Sequence, residues 1–209
     1  MKKYSKRIIA VILIVSLICN IYLFVKVTDY KERQQQDYES SVNHFYGHFW
    51  KMQYRLDHIL AERNKAEPDL ISISANVYSL KQEIWHADEK LAYMEKYSPY
   101  GEDYELYAIP NDLFLMYFSY RLTHVESALS DRNVEELFQA TEEIYNEYSI
   151  VRDVLPSLDT EFLELTEKEQ MANWVEIVNR LPESEELEML KDLTSFDRLV
   201  KEAFGEELN

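Results

Sequence analysis

Residues 8 to 25 read IIAVILIVSLICNIYLFV, eighteen in a row without a charged side chain. As a helix this run spans about 27 Å, close to the hydrocarbon thickness of a bilayer. Only Ser16, Cys19 and Asn20 interrupt the run, and none is charged, so the helix has no polar side broad enough to turn to water. The run therefore predicts a transmembrane anchor, with the lipid bilayer as its partner. Lys2, Lys3, Lys6 and Arg7 precede it, and no acidic residue occurs before Asp29. Basic flanks stay in the cytoplasm. The expected topology is a short cytoplasmic N-terminus, 1–7, an anchor, 8–25, and an extracytoplasmic body. A cleaved signal peptide is the rival, but VKVTD after the run offers no small-x-small cleavage site. Bulky Ile18 before Cys19 also argues against a lipoprotein.

Charge limits what the body can touch. The chain carries −17; beyond the anchor, 18 Lys and Arg face 39 Asp and Glu, a balance of −21. Phosphate binding needs clustered cations, so nucleic acid is not an expected partner. A broad contact with anionic lipid is disfavoured on the same ground. Cys19 is the single cysteine and lies in the anchor, so the body holds no disulfide. N-x-[ST] is also absent. Exported eukaryotic domains usually carry one or the other, which points to a bacterial cell surface.

The rest of the chain is written in helical periods. Residues 26–41 are polar on nearly all faces and lack a helix breaker, which predicts a helical stalk about 24 Å long. Val42, Phe45, Phe49, Met52, Leu56 and Ile59 then follow at alternating spacings of 3 and 4. Such a pattern makes one apolar seam. ERNKAEPD, 62–69, ends it. Leu70, Ile73, Val77, Leu80, Ile84, Ala87, Leu91 and Met94 form a second seam. The third comprises Leu115, Phe118, Leu122, Val125 and Leu129, after a loop at 98–110 with Asn111 or Asp112 as cap. SDRN, 130–133, is a short turn, and Val134, Leu137, Thr141, Ile144, Tyr148, Val151 and Leu155 form the fourth seam before Pro156. Breaks at Pro68, Pro99 and Pro110 favour folding back over one continuous coiled coil. The expected fold is all-α: a transmembrane helix and stalk leading into an antiparallel up-down four-helix bundle over 42–156. An acidic tail, 157–209, packs on the bundle with two shorter helices, the first opened by the TEKE capping box at 166–169.

Two groups of residues are candidates for function. His44 and His48 share a helix face in HFYGHFW, beside the first seam. Glu83 and His86 occupy the matching flank of the second helix, at about the same level of a hairpin. Imidazole and carboxylate from two helices suit zinc or iron. However, Lys51, Arg55 and Lys90 share the flank and repel a cation. The expectation is therefore a His48–Glu83 pair across the hairpin, with His44 in solvent and no bound metal or other cofactor. The second group is Tyr97, Tyr100, Tyr104 and Tyr107 around the 98–110 loop, where rings with polar tips suit a protein interface.

No G-x-S-x-G, Gly-rich phosphate loop or H-E-x-x-H occurs. The favoured reading is a membrane-tethered, non-catalytic helical module. It binds a protein partner in the membrane or envelope as an accessory or regulatory subunit. The alternatives are a ligand-sensing bundle signalling through a partner, and a metal-dependent enzyme on the His/Glu flank. The oligomeric state is not set by the sequence.

Overall fold

A computed structural model describes the backbone of residues 2–99, 104–155 and 161–204, and their side chains except at 2–12, 104, 105, 161 and 202. Among these residues all regular structure is helical. Tyr100 and Pro156, on which parts of the loop reading rested, lie outside the described residues.

Helix α1, Lys2–Ala61, is one unbroken α-helix of 60 residues, about 90 Å long. It contains no proline and a single glycine, Gly47. Its apolar N-terminal part is long enough to cross a membrane, and none of that window is buried by the rest of the chain. Burial begins at Tyr38, with Gln34 half-buried below it. The free length of α1 is thus shorter than the expected stalk. The reason is that Gln34 and Tyr38 meet later parts of the chain: Gln34 Nε2 donates to the Ser98 carbonyl at 3.4 Å, and the Tyr107 hydroxyl to that of Tyr38 at 3.4 Å.

The chain turns through a 3-10 segment, Glu62–Asn64. Glu62 is almost fully buried there and accepts from Lys65 Nζ at 2.6 Å and from the Asp69 amide at 3.0 Å. Asp69 caps α2, Leu70–Tyr97, accepting from the Ile71 and Ser72 amides. These bonds satisfy N–H groups that a helix start leaves without partners.

Cross-links between α1 and α2 set an antiparallel register. His48 bonds Glu83; seven residues on, Arg55 bonds Asn76, seven back from Glu83. Fourteen residues before His48, Gln34 meets Ser98, fifteen after Glu83. Every residue of both seams except Leu70 is buried, and Leu70 packs at the seam's edge.

The third segment departs from expectation. Helix begins at Tyr104, not at an Asn111 or Asp112 cap: α3, Tyr104–Asp112, has Pro110 inside it. Asp112 makes no capping bond, and Asn111 Nδ2 instead donates to Glu95. A π-helical stretch, Leu113–Phe118, follows and leads into α4, Ser119–Ser130. Proline removes the donor to the residue 106 carbonyl and crowds the turn before it, so its defect lies on the N-terminal side, and the wider π-helical turn that follows is a separate irregularity. The wider turn also shifts the helical phase. Phe114 and Tyr117 are buried where an unbroken seam would have put Leu115, which is 56% exposed.

The turn after α4 uses Arg132 in the left-handed region, φ 55°. Asn133 then caps α5, Val134–Val154, accepting from the Glu136 amide. Of the fourth seam, Leu137 through Leu155 is buried and Val134 packs at its edge. Contacts join α1 to α2, α2 to α4, α4 to α5, and α5 to α1.

Beyond α5 the tail holds more than the two helices expected. These are α6, Glu161–Glu164, α7, Glu167–Arg180, α8, Glu185–Thr194, and α9, Phe196–Phe204. The predicted capping box is formed at α7 by Thr166 and Glu169. Ser195, φ 53°, separates α8 from α9 and breaks what reads in sequence as one helix. The tail belongs to the same core as the long helices. Trp174, 1% exposed, packs edge-on to Phe45 with ring centroids 6.5 Å apart. Phe45 and Phe49 meet Phe114, and Phe49 meets Tyr148, whose hydroxyl donates to the Phe49 carbonyl.

Candidate functional site

The two phenylalanines of HFYGHFW point into the core, and this sets the histidines on the flank toward α2. His48 Nδ1 donates to Glu83 Oε2 at 2.7 Å, with both side chains mostly buried. The His86 ring lies 5.1 Å from that of His48, centroid to centroid. His86 Nδ1 is in turn 3.4 Å from Glu89 Oε2, and Lys90 Nζ is 3.7 Å from the other Glu89 oxygen. His44 does not join the group: it is exposed, 3.4 Å from Ser40 Oγ on its own helix. Among the described residues no three His, Cys, Asp or Glu side chains converge as a metal ion requires. What the flank provides is a hydrogen-bonded pair, with a second imidazole at ring-contact distance and Lys90 against the Glu89 that the second imidazole meets.

The four tyrosines do not form one surface. Tyr107 is buried against Tyr38, so its ring is core rather than interface. Tyr97 is half-buried and stacks on the exposed Tyr93, centroids 6.2 Å apart and 4° between planes. Lys96 and Lys90 sit over these two rings. Tyr100, and the side chain of Tyr104, lie outside the described residues.

A buried ion network between α4 and α5 escaped the sequence reading. Glu147 is 2% exposed. Arg121 holds it through Nη2 to Oε1 at 2.8 Å and Nε to Oε2 at 3.2 Å, and reaches Glu143 at 2.9 Å. Burial pushes the Glu147 carboxyl above its usual range, and the Arg121 bonds oppose that only in part. Burial likewise raises the Tyr117 phenol, with Glu147 adding to it. His124, one turn along α4, reaches Glu186 of α8 at 3.6 Å and ties the tail to this helix. The available signal was Arg121 directly before seam residue Leu122, opposite an acid between Ile144 and Tyr148. That opposition is meaningful only once α4 and α5 are paired.

Two open grooves flank this part of the body. One, of about 530 Å³, is polar and lined by Arg121, His124, Gln139 and Glu143 among others. The other, of about 630 Å³, runs between the start of α2 and the end of α4, lined by Leu70, Ile71, Tyr78 and Leu129. Ile71 and Tyr78 begin a stripe with Trp85, seven residues apart on α2. They are 84%, 66% and 56% exposed, so the face of α2 away from the buried seam carries three large apolar side chains that the chain itself does not cover.

Comparison with protein-family models, curated proteins and solved structures finds no match for this chain.

Proposed function

We propose that this chain is a single-pass membrane protein of a bacterial cell surface, and that its extracytoplasmic body binds a protein partner as a non-catalytic accessory or regulatory subunit. In this reading α1, α2, α4 and α5 make an antiparallel up-down four-helix bundle, with its N-terminus cytoplasmic. The ring of contacts among those helices supports the bundle, and the bare apolar helix below it supports the tether. The basic cluster before the apolar run supports the orientation.

The observation that carries the partner is the exposed stripe Ile71, Tyr78 and Trp85. Scattered apolar side chains on a surface mean little, but three large ones repeating every seven residues along one exposed helix face, with Ser74, Ala75, Lys81 and Gln82 between them, offer anchors for a contact. Aromatic rings at the centre of such a row supply much of an interface's affinity. The adjoining apolar groove extends the surface toward Leu129.

A photoreactive residue at Tyr78 or Trp85 of the full chain, in its native membrane, tests this. The expected result is a covalent product with a different protein, lost when Tyr78→Glu is introduced at the neighbouring site. Product formed equally from the polar outer face of α5, for example from Glu142, would overturn it.

A further inference from the structure

The anchor carries a polar face, and α1 fixes where that face points. Asn20 lies deep in the apolar run, about 18 Å from its cytoplasmic end at helical rise. Its side chain is exposed, with no hydrogen-bond partner among the described residues. Within hydrocarbon an amide has no water to bond, so it favours a partner helix that offers a donor or acceptor. Ser16, one turn earlier, adds a small residue that lets helices approach.

Eighteen residues make five full turns of α-helix. Asn20 is eighteen residues before Tyr38, and Ser16 is eighteen before Gln34. Because α1 is α-helical throughout, the Ser16/Asn20 face lies directly beneath the face that Gln34 and Tyr38 turn to Ser98 and Tyr107. The polar side of the anchor therefore sits under the body.

That placement decides the occupant. Packed helices lie about 8–10 Å apart. A second copy seated on this face would carry its own α1 upward without a break to Ala61. Over the ~27 Å from Asn20 to Tyr38, the ~20° crossing of most membrane bundles moves it sideways by only about 9 Å, less than one helix diameter, and only a steeper crossing near 40° carries it about 17 Å aside. At the usual crossing it would enter the space already filled by Ser98 and Tyr107. A membrane helix that ends near the bilayer surface meets no such obstruction. It has the free length between Val25 and Gln34, about 14 Å, in which to end or turn.

We propose that the Ser16/Asn20 face binds a transmembrane helix of a different protein, one whose span terminates beneath the body and offers a hydrogen-bonding group to the Asn20 amide. The proposal rests on the membrane-anchored accessory reading above and names where the partner's span docks.

The test uses the full chain in its native membrane, with a photoreactive residue at Ser16, at Ile18, which is about 160° round the helix from Asn20, or at Tyr78 on the body. Each is made with Asn20 intact, with Asn20→Leu and with Asn20→Gln. The expected product arises from Ser16 and not from Ile18, and its cross-link maps to an apolar span of another polypeptide. Asn20→Leu lowers its yield by about three- to twenty-fold, and Asn20→Gln retains it. The melting temperature of the body stays unchanged, because Asn20 is far below the first core residue. A product of twice the 25.0 kDa chain mass from Ser16, equal labelling from Ile18, or indifference to Asn20→Leu overturns the proposal. Capture from Tyr78 with none from Ser16 overturns the anchor-face proposal but leaves the accessory reading standing. No capture from either position overturns both.

Discussion

Replacing Arg121 by methionine tests the energetics of the body most directly. Methionine keeps most of the packing volume and removes the only cation among the described residues bonded to Glu147, a carboxylate 2% exposed. Two charge-assisted bonds to buried Glu147 are lost, at about 1.5–3 kcal/mol each, with a third to the exposed Glu143, and breaking a buried pair costs about 3–5 kcal/mol. The carboxylate has an escape, because it can take up a proton. Protonating it at pH 7 from an unfolded value near 4.3 costs about 3.7 kcal/mol, at 1.36 kcal/mol per unit, and about 1 kcal/mol at pH 5. Those figures cap the penalty. The sign follows from linkage. Burial already holds the folded Glu147 value above the unfolded one, and removing Arg121 raises it further. The folded state then binds more protons than the unfolded state above pH ~4.3, so stability falls as pH rises through that window. Near-UV circular dichroism of the full chain in detergent micelles reports core melting. The expected drop is about 7–14 °C at pH 7 and about 2–4 °C at pH 5. Arg121→Met with Glu147→Leu recovers most of the loss, since an apolar pair replaces an ionic one. A drop equal at both pH values, or below about 3 °C at pH 7, would refute the reasoning.

The same assay checks four further outcomes. Gly47→Ala stabilises by about 0.5–1 kcal/mol, because a Cβ there meets no atom within 4 Å and helix propensity alone decides. Trp174→Ala costs about 3–5 kcal/mol, and its melt stays a single transition because the tail shares the core of the long helices. Asp69→Ala costs about 0.5–2 kcal/mol through loss of the α2 cap. The Lys65 ammonium and then the Asp69 amide hold Glu62 below the usual carboxylate range. Its stabilising effect is therefore present above the unfolded value and is lost as pH falls through the folded one. The difference in melting temperature between the natural chain and Glu62→Gln should shrink on acidification, and a difference constant with pH would count against that role.

How far the candidate sites could be read depended on how local their determinants were. The His48–Glu83 pair was legible because a tight turn between two regular seams fixes the register of everything along the hairpin. Glu83 then has to fall near His48 whatever the rest of the chain does. The tyrosine group was not legible, because proximity in sequence says nothing about which way a ring turns. Tyr107 faces Tyr38 across the core, while Tyr93 and Tyr97 stack at the surface. The Arg121–Glu147 pair spans two helices and shows no pattern until they are brought together.

Much of the architecture follows from periodicity alone. The bare apolar run, the two seams of the first hairpin, the SDRN turn and the Thr166–Glu169 box depend on side chains within a few residues of one another, and each formed where its pattern lay. Only the tertiary structure decided the rest. Pro110 reads as a stop, yet helix passes through it, and a wider π-helical turn follows at Leu113–Phe118. The same turn rotates Phe114 and Tyr117 inward and Leu115 outward. Tyr38 reads as part of a solvated stalk, yet Tyr107 closes over it. A periodic pattern records which residues share a face of one helix. Which face is covered, and by what, depends on partners tens of residues away, and that is settled only when the helices pack.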